Sequence, residues 1–200
     1  MASPPQTARS ERTRAALRKA ATVRFLAQGV EATSAEEIAA DAGVTLRTFY
    51  RHFASKHDLL FADYDSGLQW FRKALAERPA DENVIASVQA AIFAFPYDVD
   101  AVTQIANLRV DALDPSRIVQ HMRQVQSDFA HALLDHLRRR HPDAVERGDE
   151  LDLTVAARSI TAAVFAAMEV WLHAPVRSLP ELARLSREAT ALLEPTFRHY

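Results

Sequence analysis

Glycine and proline are spaced along this chain as punctuation between helices. Only four glycines occur in 200 residues, and prolines at 79, 96, 115, 142, 175, 180 and 195 separate stretches rich in Ala, Leu, Arg and Glu. Those residues lose little backbone or rotamer freedom on entering a helix. No stretch alternates apolar and polar residues as a half-buried strand would. The pattern predicts an all-α fold of about nine helices. With 48% apolar residues the chain also holds ample core material.

Residues 1–7 read as a disordered tail and 10–28 as a first helix, ended by Gly29. Ser34, with Glu37 three residues later, forms a capping box that opens a second helix, whose buried stripe is Ile38, Ala39 and Ala42. Gly43 supplies the left-handed residue of a tight corner and Val44 plugs the space beneath it. A third helix runs from Thr45 to about His52, with Phe49 and Phe53 four apart on its inward face. Ser55 restarts the chain into a long helix over 55–77, carrying Leu60, Tyr64, Leu68, Phe71 and Leu75 at helical spacing. Further helices are predicted over 81–95, 98–113, 115–140, 150–174 and 179–197.

The absence of cysteine excludes disulfides, thiolate metal centres and cysteine nucleophiles. No phosphate loop, dinucleotide motif or serine triad is present, and no cofactor is expected. The first residues lack the apolar core of a signal peptide, and no uninterrupted run of about 18 apolar residues occurs, which predicts a cytoplasmic protein without a membrane partner. The net charge of −2 hides an asymmetry: residues 1–60 hold nine basic against six acidic groups, the remainder fifteen against twenty. A basic end suits a polyanion, and an Arg-rich solvated helix accounts for it equally well. Asp128, His131 and Asp135 have the helical spacing of metal ligands. They lie off the apolar stripe of Ile118, Met122, Val125, Phe129 and Leu133, however, so a solvated polar face is the simpler reading.

The informative stretch is 34–60. Two short helices separated by Gly43, Val44 and Thr45 match a helix-turn-helix, in which the first helix is packed and the second presents polar side chains to a major groove. Ile38, Ala39, Ala42, Val44, Phe49 and Phe53 meet the packing need, leaving Thr45, Arg47, Thr48, Tyr50, Arg51 and His52 outside. In register stand Ile38-Ala39, Ala42-Gly43-Val44-Thr45, Thr48-Phe49-Tyr50-Arg51-His52-Phe53, and Ser55-Lys56 followed by Leu59-Leu60. Over these landmarks the chain resembles the TetR family of transcriptional regulators. It departs from the family pattern at His57, a position that is often Glu, and at Leu46, where short polar residues are common.

The resemblance implies a DNA-binding head at 8–54 and a ligand-binding and dimerisation body at 55–200. It assigns phosphate contacts to Ser34, Thr45, Tyr50, His52 and Lys56, and base reading to Arg47, Thr48 and Arg51. It implies a repressor that binds a near-palindromic operator as a homodimer through its last two helices, about 151–174 and 179–197, and is released by a small, largely apolar effector. Residues on apolar faces that could line the effector site are Tyr64, Phe71, Phe95, Asn107, Arg109, Met122, Phe129, Phe165 and Glu169. Arg109 and Glu169 stand out, because a charge in an apolar segment must be paired, solvated or bound to a ligand. A helical adaptor, or a metal-dependent enzyme, is the alternative without DNA binding.

Overall fold

The computed structural model describes residues 5–94, 99–174 and 178–197. Among them the chain is helical, with no strand: α1 (Pro5–Gln28), α2 (Ala35–Asp41), α3 (Leu46–His52), a 3-10 helix (Lys56–Phe61), α4 (Ala62–Ala76), α5 (Val84–Phe93), α6 (Val99–Ala112), α7 (Pro115–Arg140), α8 (Pro142–Arg147), α9 (Glu150–Leu172), α10 (Leu179–Ala191) and α11 (Glu194–Phe197). Two compact units result. One comprises residues 1–63 and 100–118, the other 64–99 and 119–200.

The first unit is built around aromatic and aliphatic side chains that local signals aim inward. Leu17 and Phe25 of α1, Ile38 of α2, Phe49 of α3 and Leu60 of the 3-10 helix are fully buried. Arg24 ties α1 to α2, donating to Asp41 at 2.6 and 3.0 Å and to Glu37 at 2.8 Å. The expected tail is partly helical, since α1 already begins at Pro5, which suits the first turn because its missing N–H would have no partner there.

The long helix expected from residue 55 begins instead as 3-10. Leu59, Leu60, Phe61 and Ala62 are all buried, so the chain is enclosed on every side at this turn. Arg109 from α6 is drawn into this unit, its Nε donating to the Leu60 carbonyl at 2.5 Å and its guanidinium lying 5.6 Å from the Phe61 ring centre. Arg117 likewise reaches Asp58 at 3.0 Å. Residues 100–118 therefore pack with the N-terminal helices, and the sequence boundary at residue 54 falls inside this unit.

The second unit has one continuous apolar core, including Leu75 of α4, Val84 and Ile85 of α5, Leu133 and Leu137 of α7, and Ile160 of α9. Arg140 closes the corner before α5. It donates to the carbonyls of Ala80 (2.9 Å) and Glu82 and to Ser87 Oγ (3.2 Å). The Glu82 carboxylate accepts from Arg78 at 2.7 Å and from Ser87 at 2.7 Å, and these bonds hold its pKa down to about 2. Gln89 of α5 reaches Thr190 of α10 at 2.7 Å.

Two further elements differ from the sequence reading. Residues 142–147, read as a connection, form α8, opened by Pro142 and closed by Gly148 at φ +83°, a helix too short for periodicity to reveal. The last expected helix breaks after Ala191 and resumes at Glu194. The segment Glu150–Trp171 of α9, although interrupted by charged residues, is long and apolar enough to cross a membrane by length and composition, and 33% of its apolar stretch is buried. It serves as a core helix: Leu153, Ala156, Ala157 and Ile160 lie inside the second unit.

Candidate nucleic-acid interface

The corner between α2 and α3 is made by local hydrogen bonds. Ser34 Oγ accepts from the Glu37 amide at 3.1 Å while the Glu37 carboxylate accepts from the Ser34 amide at 2.8 Å, completing the capping box. That carboxyl lies below its usual range, chiefly because of these bonds from Ser34. At the other end Gly43, at φ +67°, lets its own amide reach Ala40 O at 3.0 Å and the Val44 amide reach Ala39 O at 2.9 Å. This pair is a Schellman motif, and the left-handed residue is what allows the chain to reverse within two residues. Thr45 then caps α3, its Oγ1 accepting from the Thr48 amide at 3.2 Å and lying 3.0 Å from Thr48 Oγ1.

α3 is two-faced. Phe49 is fully buried, 6.0 Å from the Phe53 ring and 5.2 Å from the Tyr50 ring, edge-on to the latter. On the opposite side Thr45, Arg47, Tyr50 and Arg51 are exposed and Thr48 is half-buried. These are donors on a short rigid helix, the arrangement that can enter a groove and meet base edges and phosphates.

The assignment of His52 and of several cations in α1 changes, and Lys56 takes on a structural role beside the expected one. The Nε2 of His52 is buried without a hydrogen-bond partner, and its pKa is lowered, first by burial and then by the charges of Arg51 and Arg14. His52 thus packs under the helix end rather than presenting Nε2 to a phosphate. Lys56 donates to the carbonyls of Glu31 at 3.1 Å and Thr33 at 3.0 Å, pinning the loop before α2. Of the basic residues in α1, Arg14 lies 4.8 Å from the Phe53 ring centre and donates to His52 O, Arg18 donates to Ala62 O at 3.0 Å, and Arg24 holds α2. Arg9, Arg12 and Lys19 remain exposed. Sequence reasoning counted all of them toward a polyanion and missed that Arg14, Arg18 and Arg24 position the head. Their partners lie 13 to 44 residues away, where no local pattern points.

The residues expected at an effector site divide. In the second unit the rings of Phe71 and Phe129 are 5.2 Å apart, those of Phe129 and Phe165 5.7 Å, and Tyr64 lies 6.1 Å from His121. Tyr64, Met122, Phe129 and Phe165 are half-buried, whereas Phe71 belongs to the core. Gly67 faces Phe129, and a Cβ added there would sit 3.8 Å from its ring tip. Asn107 and Glu169 are exposed, so neither is an interior lining residue, and Arg109 is occupied by Leu60 in the first unit. Phe95 lies outside the described residues. Asp128 accepts from Gln124 at 2.9 Å and Asp135 pairs with Arg138 at 3.4 Å. No group of three or more potential metal ligands occurs among the described residues.

Residues 17–62 match the bacterial regulatory proteins of the tetR family. The HTH-type transcriptional regulator TcmR of Streptomyces glaucescens is 34% identical over 121 residues, 56% of this chain and 54% of that protein, so the match spans about half of the relative's length. SmeT, the repressor of the Stenotrophomonas maltophilia multidrug efflux pump SmeDEF, has a similar fold at 20% identity, covering 92% of this chain and 89% of that one with a TM-score of 0.57. The SmeT complex with triclosan aligns over the same shares of both chains, at 24% identity and a TM-score of 0.52.

Proposed function

We propose that the chain, whose residues 17–62 match the tetR family of bacterial regulatory proteins, is a DNA-binding transcriptional repressor acting as a homodimer on a near-palindromic operator. The observation that carries this reading is α3 itself: Phe49 anchors it while Arg47, Tyr50 and Arg51 stand exposed beside the Gly43 corner. Arg47, Thr48 and Arg51 read bases on this assignment, and Ser34, Thr45, Tyr50 and Lys56 meet phosphates. The protein works in the cytoplasm, where operator DNA lies.

Selection of bound duplexes from a random pool tests the reading. A recovered inverted repeat is the expected outcome, and an empty selection at low salt overturns it. On the recovered site, Arg47→Ala should lose about 1–3 kcal/mol and relax preference at one base pair. Tyr50→Phe should weaken every sequence alike while leaving the salt slope unchanged, because a neutral hydroxyl releases no counterion. Equal, sequence-independent losses from both would refute the division between base reading and anchoring.

The dimer face on this proposal is formed by α9 and α10. Leu151, Val155, Ala162, Ala166 and Val170 recur along one side of α9 and are exposed, Leu151 at 73%, and Leu192 at the end of α10 is 82% exposed. Small residues let helices approach closely, and a two-fold interface buries such a stripe twice. Val170→Arg should therefore shift the sedimentation coefficient from dimer to monomer and lower affinity for the full inverted repeat at least roughly tenfold by removing the second head. A monomeric wild-type protein at micromolar concentration would rule this interface out.

The effector proposed is a small, largely apolar molecule taken up at Tyr64, Met122, Phe129 and Phe165, in keeping with the triclosan bound by the fold neighbour SmeT. It acts by binding more tightly to the state with lower DNA affinity, since only differential affinity shifts an equilibrium.

A further inference from the structure

An ammonium and an imidazole at the start of the 3-10 helix converge on one carboxylate. Lys56 uses two of its three N–H donors on the Glu31 and Thr33 carbonyls. The Glu31 carboxylate lies 4.0 Å from the same nitrogen and 3.1 Å from His57 Nε2. Lys56 and His57 are 20% and 24% exposed, Glu31 78%, so the two donors are set into the surface and the acid covers them. The Glu31 carboxyl is held below its usual range, first by the His57 hydrogen bond and then by the Lys56 charge. The carboxylate is held mainly by these two groups, and exposed ion pairs of this kind are easily exchanged.

We propose that Lys56 and His57 form a phosphodiester subsite of the DNA interface, and that Glu31 is its built-in competitor, displaced by a backbone phosphate. The inference rests on the DNA-binding reading above, adding His57 as a ligand and giving Glu31 an affinity-setting role. A pair that holds a carboxylate, with one oxygen 3.1 Å from His57 and the other 4.0 Å from Lys56, can hold another oxyanion, and a backbone phosphodiester likewise offers two oxygens that share one negative charge. Because one anion replaces another, the contact in the native protein releases few counterions. With Glu31 neutralised, the same contact releases them in full.

Glu31→Gln keeps the side chain's size on an exposed position. It should tighten binding to any duplex by roughly three- to tenfold at low salt and steepen the plot of log affinity against log salt by up to about 0.9. Adding His57→Gln should abolish the gain. Unchanged or weakened binding by Glu31→Gln would overturn the proposal.

A second arm needs no duplex. Inorganic phosphate titrated into the protein, followed through the His57 ring resonances, should shift them at several-fold lower concentration in Glu31→Gln than in the native chain. A phosphate response without duplex binding would uphold the subsite while refuting DNA binding. Duplex binding with no phosphate response in either protein would refute the subsite alone.

Discussion

Phe49→Ala should cost the first unit about 3–5 kcal/mol, the range for deleting a fully buried aromatic ring. Leu17, Phe25, Ile38 and Leu60 of the same unit are also fully buried, and a close-packed interior relaxes little around a deleted ring. A loss of this size approaches the whole stability of a small helical unit. Both tryptophans, Trp70 and Trp171, lie in the second unit, which lets the two be followed separately. Far-UV circular dichroism should report an early partial loss of helix in the variant while tryptophan fluorescence retains its native midpoint. A loss below about 1 kcal/mol would show that Phe49 is not what holds α3.

Acid should destabilise the second unit through His136. This side chain is buried on α7 with Nε2 unpaired, and its pKa falls from 6.5 to about 4, first because burial penalises the charged ring and then because Arg140, Arg139 and His141 are near. The unfolded chain takes up a proton near 6.5 and the folded one only near 4, so stability is complete above 6.5 and is lost as pH falls from 6.5 through 4. At one pKa unit per 1.36 kcal/mol the loss reaches about 3 kcal/mol. Glu82 acts lower, its contribution disappearing as pH falls from 4.5 through about 2. His136→Leu fills similar space without a proton to take up. Urea midpoints read by tryptophan fluorescence should then be flat between pH 6.5 and 4.5 while the native protein's fall. A parallel fall in both would assign the acid sensitivity elsewhere.

The head was legible to the extent that its signals are local. Ser34 with Glu37, Gly43 and Thr45 act over at most three residues, and each forms the bond its type and spacing predict. The inward Phe49 and Phe53 follow from a period that any helix imposes. The roles of the charged residues were not legible. Arg24 meets Asp41, Lys56 meets the loop at 31–33, and Arg140 meets Ala80, all across separations at which a guanidinium or ammonium could equally face solvent. Asn107 and Glu169, placed on apolar faces by sequence, are exposed because a helix contributing to a small bundle still shows part of its surface to water.

What this sequence determined by itself is the class of the fold and the helix-turn-helix corner, because propensity, capping and the left-handed glycine are properties of neighbouring residues. Only the tertiary structure decided which cations are spent on internal carbonyls and carboxylates and which remain on the surface. It also decided that residues 100–118 pack with the N-terminal helices and that residues 56–61 tighten into 3-10 geometry. Those outcomes depend on which helices meet, and a long flexible cationic side chain takes whichever acceptor that meeting brings within reach.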